Sequence, residues 1–407
     1  MVFELSTRGA ANVEAIWPRI SKAVEEREDV QTQVIDMGTS ENWLVREEII
    51  DIYKRAIQSG LEEKHLSYPN GLAGDQDLLA ALAHFFNAYF KPLIPVSTKH
   101  LSTAPGAASA LDALLYNICE PGDGVIIPSP CWNGFDWLLT ARSSVQPVFA
   151  VADFHDVLSN FIPSLERAFS EATCPIKGLL FTNPHNPFGQ CYSMNLVREA
   201  IKFCHVKKIH FISDEIYAMS LRAGPFISAL QIDVQGMGCD LSRVHTIWSI
   251  SKDFGSSGLR MGCCVTQGNQ PLVVGLALAS NTQMSSLTAI AATALLTSPE
   301  LPTIMAKNSE RLEKAYTKIT SMLRGRRIDW MPSNGPFLFA KLLPDAQDED
   351  EERLVQACKK AGVSISMGRS YHVLEHEKGW ARLNFALPPD RLDEALTRLA
   401  VGLDLTS

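Results

Sequence analysis

The chain has 407 residues, of which 46% are hydrophobic and 20% are charged, values typical of a globular protein with a large core. Its 37 basic and 45 acidic side chains give a formal net charge of −8. This balance argues against a nucleic-acid protein that relies on broad positive charge, although it leaves room for a local basic patch. Fold and function stay open on composition alone.

Nine cysteines are scattered without a Cys-x-x-Cys pair, and their odd number in a long chain argues against a disulfide framework. The ten histidines show no zinc-like spacing, so no metal site is predicted. The N-terminus carries the acidic Glu4 and no apolar core, unlike a signal peptide, and no apolar run reaches the length of a membrane span. We therefore predict a cytoplasmic protein with neither nucleic acid nor membrane as a partner.

The predicted elements begin with amphipathic helices at 11–28 and 46–59. From about residue 100, short apolar runs alternate with helix-like stretches, a pattern that predicts an α/β domain with a mostly parallel sheet covered by helices on both faces. The predicted helices of this region include 107–119, 162–172 and 194–206. Its predicted strands are 124–128, 145–151, 178–182, 210–214, 244–250 and 261–266.

The C-terminal part has a different pattern. A long charged helix at 302–324 precedes an apolar run at 337–343 and an acidic stretch at 345–352, which we interpret as a solvated loop and helix start. An α+β tail is completed by 354–361, 363–367 and 380–386. This organisation predicts a large domain at 58–305 and a small α+β domain built from both chain ends, 1–57 and 306–407.

Polar, aromatic and glycine residues follow the predicted strands, where open α/β sheets bind their ligands. Residues 105–109 (Pro-Gly-Ala-Ala-Ser) open a helix whose N–H groups can approach a phosphate, although a Gly before a helix is more often just a tight turn. Trp132 follows a strand, and by itself is explained as a core residue. Two Asn-Pro steps in 183–189 leave amide groups free to hydrogen-bond, and Asp214 ends a buried strand, where its charge needs a cationic partner.

The most specific segment is 249–262, which combines Lys252 after a strand, the hydroxyls of Ser249 and Ser251, a glycine-rich bend and Arg260. An exposed lysine in a flexible loop would not explain this clustering. A lysine for a Schiff base, an acid for a pyridinium nitrogen, an aromatic ring for stacking and a phosphate cradle are together the requirements of pyridoxal 5'-phosphate (PLP). Dinucleotide-binding, Walker, zinc-protease and serine-hydrolase motifs are absent from the sequence.

On these motifs the chain resembles the class I/II aminotransferases of PLP fold type I, and within them the 1-aminocyclopropane-1-carboxylate (ACC) synthase-like branch, including its fungal secondary-metabolism members. The resemblance runs from residue 38 to 386 and implies an α/β fold with a mostly parallel seven-stranded sheet. It also implies that Lys252 is the Schiff-base lysine and the base that moves the Cα proton. The other implied cofactor-binding residues are Gly106, Ala107, Ala108, Trp132, Asn186, Asp214, Tyr217, Ser249, Ser251 and Arg260.

The resemblance also assigns particular roles. Asp214 matches the partner of the pyridinium nitrogen, and Arg260 matches the phosphate-binding arginine. Tyr68 matches a catalytic tyrosine that the partner subunit lends, which implies a homodimer. The implied substrate-binding residues are Gly38, Glu41, Asn186 and Arg382, of which Arg382 would bind the α-carboxylate.

The chain departs from the family's pattern at three places. Ala108 stands where the family often has Thr, and Ser109 is the candidate to replace the lost hydroxyl; segments 130–133 and 280–283 differ from those of plant ACC synthases. We therefore hypothesise an enzyme that acts at Cα of an amino acid or S-conjugate and eliminates a thiol-type group. The alternative is an aminotransferase; ACC synthase and a non-catalytic PLP-fold protein are less favoured.

Overall fold

The computed structural model describes residues 5–28, 34–152, 157–280 and 284–406. Within these ranges the helices are α1 Thr7–Glu28, α2 Arg46–Gly60, α3 Gln76–Phe85, α4 Ala107–Ile118, α5 Gly134–Thr140, α6 Val157–Glu171, α7 Met194–Lys207, α8 Ile250–Asp253, α9 Gln270–Ser280, α10 Ser286–Leu296, α11 Leu301–Gly325, α12 Asp348–Lys360 and α13 Pro389–Asp404. The strands are β1 Ile35–Asp36, β2 Leu101–Ala104, β3 Gly124–Ser129, β4 Gln146–Val151, β5 Ile176–Thr182, β6 His210–Asp214, β7 Val244–Ser249, β8 Gly262–Val265, β9 Trp330–Met331, β10 Phe337–Lys341, β11 Val363–Ser364, β12 Ser366–Met367 and β13 Trp380–Asn384.

A seven-stranded sheet forms the centre of the fold, with strand order β2-β8-β7-β6-β5-β3-β4. Strands β7, β6, β5, β3 and β4 run parallel to one another, whereas β8 is antiparallel to both β7 and β2. The predicted fold class, α/β with a mostly parallel seven-stranded sheet, is confirmed. Its parallel strands end at one edge, which is where a ligand site is expected.

Strand β2 is the sheet strand that the apolar runs did not predict. Its sequence, Leu-Ser-Thr-Ala, has two hydroxyl residues, yet all four residues are buried because β2 lies between β8 and helices α4 and α9. The six predicted strands are present with ends shifted by a few residues. Strand β4, at the sheet edge, is only partly buried, since a neighbouring strand covers it on one side alone.

Both chain ends contribute to two smaller sheets. Strand β1 pairs in parallel with β11, and β12-β13-β10-β9 form an antiparallel sheet. The predicted single segment 363–367 is therefore two strands that belong to different sheets, with Ile365 between them. A hydrophobic cluster joins residues from both ends of the chain, among them Ile35, Leu312, Leu338 and Leu383. The exact domain boundaries stay a prediction.

The acidic stretch forms the start of α12, as predicted, but the prediction that it is solvated is wrong at Glu351, which is buried and accepts a hydrogen bond from the Gly379 N–H at 2.7 Å. Its first turn contains Asp348, Glu349, Asp350 and Glu351, whose charges favour the positive end of the helix dipole. Gln347 and Asp350 form a capping box that satisfies backbone N–H groups at this end.

The residue ranges given above contain neither a single membrane-spanning helix nor a metal-binding cluster. No single helix there is long and apolar enough to cross a membrane; α10 and α11 meet the criterion only as a pair bent by 82°. These ranges also hold no group of three or more His, Cys, Asp or Glu arranged to hold a metal ion. The nine cysteines are all free thiols.

Candidate active site

A cavity of about 1040 Å³ lies where β5, β6 and β7 end, with Thr182, Asp214 and Ser249 in its wall. It is closed on the other side by residues from both chain ends. Most of the predicted site residues are brought together here. Those that line the cavity are Gly38, Ala107, Ala108, Trp132, Asn186, Asp214, Tyr217, Ser249, Ser251, Lys252, Arg260 and Arg382.

Asp214 ends β6, behind the apolar residues that bury this strand in the sheet. Burial raises the pKa of its carboxyl to about 7, although the backbone N–H of Ile216 and the charge of Lys252 act in the opposite direction. Its Oδ1 atom is buried and has no hydrogen-bond partner. Because buried polar atoms are nearly always paired, this oxygen calls for a donor supplied by a ligand.

Lys252 lies in the short helix α8, directly after β7. The Ser249 hydroxyl caps this helix by accepting a hydrogen bond from the Ser251 backbone N–H at 2.9 Å. The Lys252 Nζ atom donates to the backbone carbonyl of Ser40 at 2.6 Å. The amine is thus held in the cavity wall by a segment from the start of the chain.

One end of the cavity suits a phosphate. Gly106, at the N-terminus of α4, has a φ of +91°, and a Cβ there would lie 2.2 Å from Nη2 of Arg260. The Arg260 guanidinium donates to the carbonyls of Ser257 at 2.8 Å and Pro105 at 3.2 Å. A helix N-terminus and a guanidinium at the same place provide N–H donors and positive charge for an anion. We call this the phosphate end.

Ser109 does not contribute its hydroxyl to the phosphate end. Its Oγ atom donates to the carbonyl of Pro105 at 3.3 Å, within the first turn of α4, and the residue does not line the cavity. The structure therefore does not support Ser109 as the replacement for the hydroxyl absent at Ala108. Residues 281–283 of the other departing segment lie outside the described residues.

Arg382, on β13, is held from several sides. Its Nη1 donates to Asn186 Oδ1 at 2.8 Å, and its Nη2 donates to the Gly38 carbonyl at 2.5 Å. Its guanidinium carbon lies 4.9 Å from the ring centre of Phe337 and 5.0 Å from that of Tyr371. The buried Nε atom has no hydrogen-bond partner. This fixed guanidinium is suited to a carboxylate ligand.

Two aromatic residues complete the predicted set. Burial raises the pKa of Tyr217 to about 12, although the charge of Arg382 and a hydrogen bond with Ser40 lower it, so the phenol stays protonated at neutral pH. Trp132 packs edge-to-face on Phe135 with ring centres 5.4 Å apart. Gly134 allows this position, because a Cβ there would lie 2.2 Å from the indole ring.

Glu41 and Tyr68 do not line the cavity. Glu41 Oε1 accepts from the Ser257 hydroxyl at 2.6 Å, and Oε2 accepts from Arg46 Nη2 at 2.8 Å. Burial alone would raise the Glu41 pKa, but these two hydrogen bonds and the charges of Arg46 and Lys252 lower it below its usual value. Tyr68 is 81% exposed, so its side chain is accessible to a partner subunit; its catalytic role stays a prediction.

Sequence reasoning missed several lining residues. Ser257 and Tyr371 are the clearest, since Ser257 touches both Glu41 and Arg260 and Tyr371 packs on Arg382. The motif around Lys252 could have drawn attention to Ser257, but no local motif marks the others. The remaining ones include Asp36, Val355, Lys359, Ile365 and Ser366.

Comparisons with known proteins agree with this geometry. The chain matches the family Aminotransferase class I and II over residues 32–399. It is 55% identical to "Probable aminotransferase aclI" of Aspergillus oryzae over 98% of both chains, and 36% identical to "Probable aminotransferase sirI" of Leptosphaeria maculans over 99% of both. It is 28% identical to 1-aminocyclopropane-1-carboxylate synthase 1 of Prunus mume, over 90% of this chain and 77% of that one.

Solved structures show the same fold. Thermus thermophilus aspartate aminotransferase with maleate has a TM-score of 0.79 at 22% identity, covering 98% of this chain and 99% of the other. The chain belongs to the aminotransferase class I and II family. It is a PLP-dependent enzyme, and the family and the cofactor predicted from the motifs are confirmed.

The residues present fit PLP. The unpartnered oxygen of Asp214 suits a protonated ring nitrogen, and the space beside Gly106 and Arg260 suits the phosphate. Lys252 lines the same cavity, so its amine would be the group to which the cofactor binds covalently in this class.

Proposed function

We propose that the enzyme removes the Cα proton of a cysteine S-conjugate and eliminates the sulfur group from Cβ, as a carbon–sulfur lyase. The conjugate and one water molecule would yield a free thiol, pyruvate and ammonium. When bound, PLP supplies an electron sink for the negative charge that develops at Cα. The residues of the chain would bind, orient and move the proton.

The observation that carries this proposal is the lining of the cavity around Arg382, which we call the substrate end. With Arg260 at the phosphate end, Arg382 is the one arginine that the described lining residues offer to a substrate. The cavity lining also includes the apolar Val355 and Ile365 and, besides Lys252, the cation Lys359, which cannot bind a second carboxylate as a bidentate arginine does. This favours a single-carboxylate substrate over aspartate or glutamate.

The volume of the cavity supports a large substrate side chain. Ligand pockets commonly measure about 300–1,000 Å³, and this cavity of about 1040 Å³ is slightly larger than that range. It therefore has room for the cofactor together with an amino acid that carries a bulky group on sulfur.

The proposed roles follow the contacts in the cavity. Lys252 would hold the cofactor and, once released from it, move the Cα proton; the charge of Asp214 would keep the ring nitrogen protonated. Arg382, oriented by Asn186, would bind the α-carboxylate. Trp132 would stack on the ring and Tyr217 would hydrogen-bond its hydroxyl.

Related proteins support a place in fungal secondary metabolism, which is part of the proposal. We also propose a homodimer in which Tyr68 enters the partner's site. The predicted domain boundaries and a cytoplasmic location are further parts of the proposal. A tyrosine with 81% of its surface exposed is available for such a contact.

Transamination is the second candidate, because the names of the most similar relatives include "Probable aminotransferase". Both reactions begin with loss of the Cα proton, so the residues described above serve either. They differ in where the proton is returned and in whether a group leaves Cβ.

A product analysis over a panel of amino acids and cysteine S-conjugates separates the two. Under the lyase proposal we expect repeated release of thiol and pyruvate while the cofactor keeps its aldehyde form. Stoichiometric conversion to pyridoxamine phosphate, with amino transfer to an added keto acid, would establish the aminotransferase instead. Lys252→Ala is the control: the wild type should be yellow and bleached by borohydride, and the variant should be colourless and about 10²- to 10⁴-fold less active.

A further inference from the structure

Two segments far apart in sequence, 38–46 and 249–262, meet beside the cavity. The Lys252 amine donates to the Ser40 carbonyl at 2.6 Å. Gly255 has a φ of +57°, and a Cβ there would lie 2.0 Å from the carbonyl oxygen of Asn42. The backbones are therefore in contact at a point where only glycine fits, and a shift of one segment displaces the other.

Glu41 joins the same two segments through its side chain. Both carboxylate oxygens are in use, one with the Ser257 hydroxyl at 2.6 Å and the other with Arg46 at 2.8 Å. Arg46 also donates from Nε to the Gly255 carbonyl at 3.0 Å, and its guanidinium lies 3.6 Å from the ring centre of Trp43. The carboxylate is therefore committed to this junction and is not among the residues that line the cavity.

Ser257 connects this junction to the phosphate end. It begins the short helical turn Ser257–Leu259, and its carbonyl accepts from Arg260 Nη1 at 2.8 Å. Arg260 itself has a φ of +54°, a left-handed conformation that is uncommon for residues other than glycine. An arginine held in this way depends on the turn before it, and Glu41 anchors the first residue of that turn.

We propose that Glu41 is a positioning residue, which fixes Ser257 and through it holds Arg260 at the phosphate end. This replaces the prediction that Glu41 contacts the substrate. The inference rests on the cofactor and the family, and it holds whether the enzyme eliminates a thiol or transfers an amino group.

Retention of PLP by the holoenzyme tests this proposal directly. In equilibrium dialysis we expect Glu41→Gln to raise the dissociation constant for PLP about tenfold, equivalent to about 1.4 kcal/mol, because the amide cannot accept from both Ser257 and Arg46. Ser257→Ala should produce a similar rise. The double variant should bind PLP no more weakly than the single variant with the lower PLP affinity, because both substitutions break the same Glu41–Ser257 hydrogen bond.

Glu48→Gln is the matched control. Glu48 lies on the neighbouring helix α2 and pairs with Arg311 at 2.8 Å and Lys307 at 3.4 Å, away from the cavity. Its replacement should leave the PLP dissociation constant within about twofold of the wild type while removing a comparable ion pair.

Three results would overturn the proposal. One is PLP retention in Glu41→Gln equal to wild type, with a raised KM for the amino-acid substrate, which would return Glu41 to substrate binding. The second is a double variant whose loss of affinity equals the product of the two single losses, since independent sites add in free energy. The third is normal PLP retention in Ser257→Ala, which remains informative even if Glu41→Gln does not fold.

Discussion

Asp214 and Glu215 are adjacent buried acids at the end of β6, and successive strand residues point to opposite faces of the sheet. Burial raises the pKa of each carboxyl to about 7. Behind the sheet, Glu215 Oε1 accepts from the Ser213 hydroxyl at 2.7 Å and the Ala229 N–H at 2.8 Å, while Oε2 accepts from the Ser228 hydroxyl at 2.6 Å. On the cavity face, Oδ1 of Asp214 has no partner.

The difference shows that burial and a raised pKa do not by themselves mark a site residue. Asp253, next to Lys252, makes the same point: its pKa is also raised by burial to about 7, yet its oxygens accept from Trp248 Nε1 at 2.8 Å and from the Ser220 hydroxyl at 2.9 Å. A buried acid whose oxygens are hydrogen-bonded to other groups of the chain stabilises the fold. One left with an unpartnered oxygen facing a cavity is available to a ligand.

Of the two exchanges at this pair of acids, Asp214→Asn should have the larger effect on activity. An amide cannot stabilise a protonated ring nitrogen as a carboxylate does, so we expect kcat/KM to fall about 10³-fold, the scale of losing a preorganised electrostatic contact. The free energy of unfolding of the apo-protein at pH 7 should not decrease, since the variant removes a buried acid with an unpartnered oxygen. Steady-state kinetics and urea denaturation measure the two quantities. A variant with near wild-type kinetics would contradict the assignment of Asp214.

Glu215→Gln is the matched substitution on the other face of the sheet. It should lower the stability of the protein and leave its activity nearly unchanged. The amide nitrogen would face hydroxyl and N–H donors that now bond to a carboxylate, so we expect the free energy of unfolding to fall by about 1–3 kcal/mol. Kinetic constants and PLP affinity should stay within about twofold of the wild type. If Glu215→Gln lost activity without losing stability, the contrast between the two faces would be wrong.

The residues proposed to bind the cofactor could be selected from the sequence because they end a strand or follow one closely. Asp214 ends β6, and Lys252 and Arg260 belong to one motif after β7. The substrate end was not predictable in this way. Tyr371 reaches Arg382 because a turn in the C-terminal part packs against the large sheet, where the Tyr371 carbonyl accepts from the Cys131 N–H at 2.8 Å. No spacing in the sequence encodes that contact.

Two further differences have similar physical causes. Glu41 could be placed near the site from its motif, but its contact with Ser257, 216 residues away, depends on how two loops meet. In the fold, β2 was missed because it has no apolar run in its sequence. Its four residues are buried by the elements that pack around them. The segment 363–367 could not be divided without knowing that β1 and β13 pair with its two halves.

A further expected effect of Asp214→Asn is a change in how stability depends on pH. Because the pKa of Asp214 is raised in the folded apo-protein, the folded state binds more protons than the unfolded chain between about pH 4 and 7. The stability that protonated Asp214 provides to the folded state is complete below about pH 4 and is lost as the pH rises through 7. Asp214→Asn should therefore make the decline in unfolding free energy shallower, by up to about 1.4 kcal/mol per pH unit.

PLP provides the internal check on this effect, and urea denaturation across pH 4–8 measures it. In the wild type and in Glu215→Gln, added PLP should also make the decline shallower, because a cationic ring nitrogen favours the ionised form of Asp214. In Asp214→Asn the change of slope on adding PLP should be smaller than in the wild type, because the part that comes from this carboxyl is gone. Equal slopes for the wild-type and Asp214→Asn apo-proteins would mean that Asp214 has the same pKa in the folded and the unfolded chain. Burial of its unpartnered oxygen would then not destabilise the apo-protein, and the argument that this oxygen needs a ligand would be wrong.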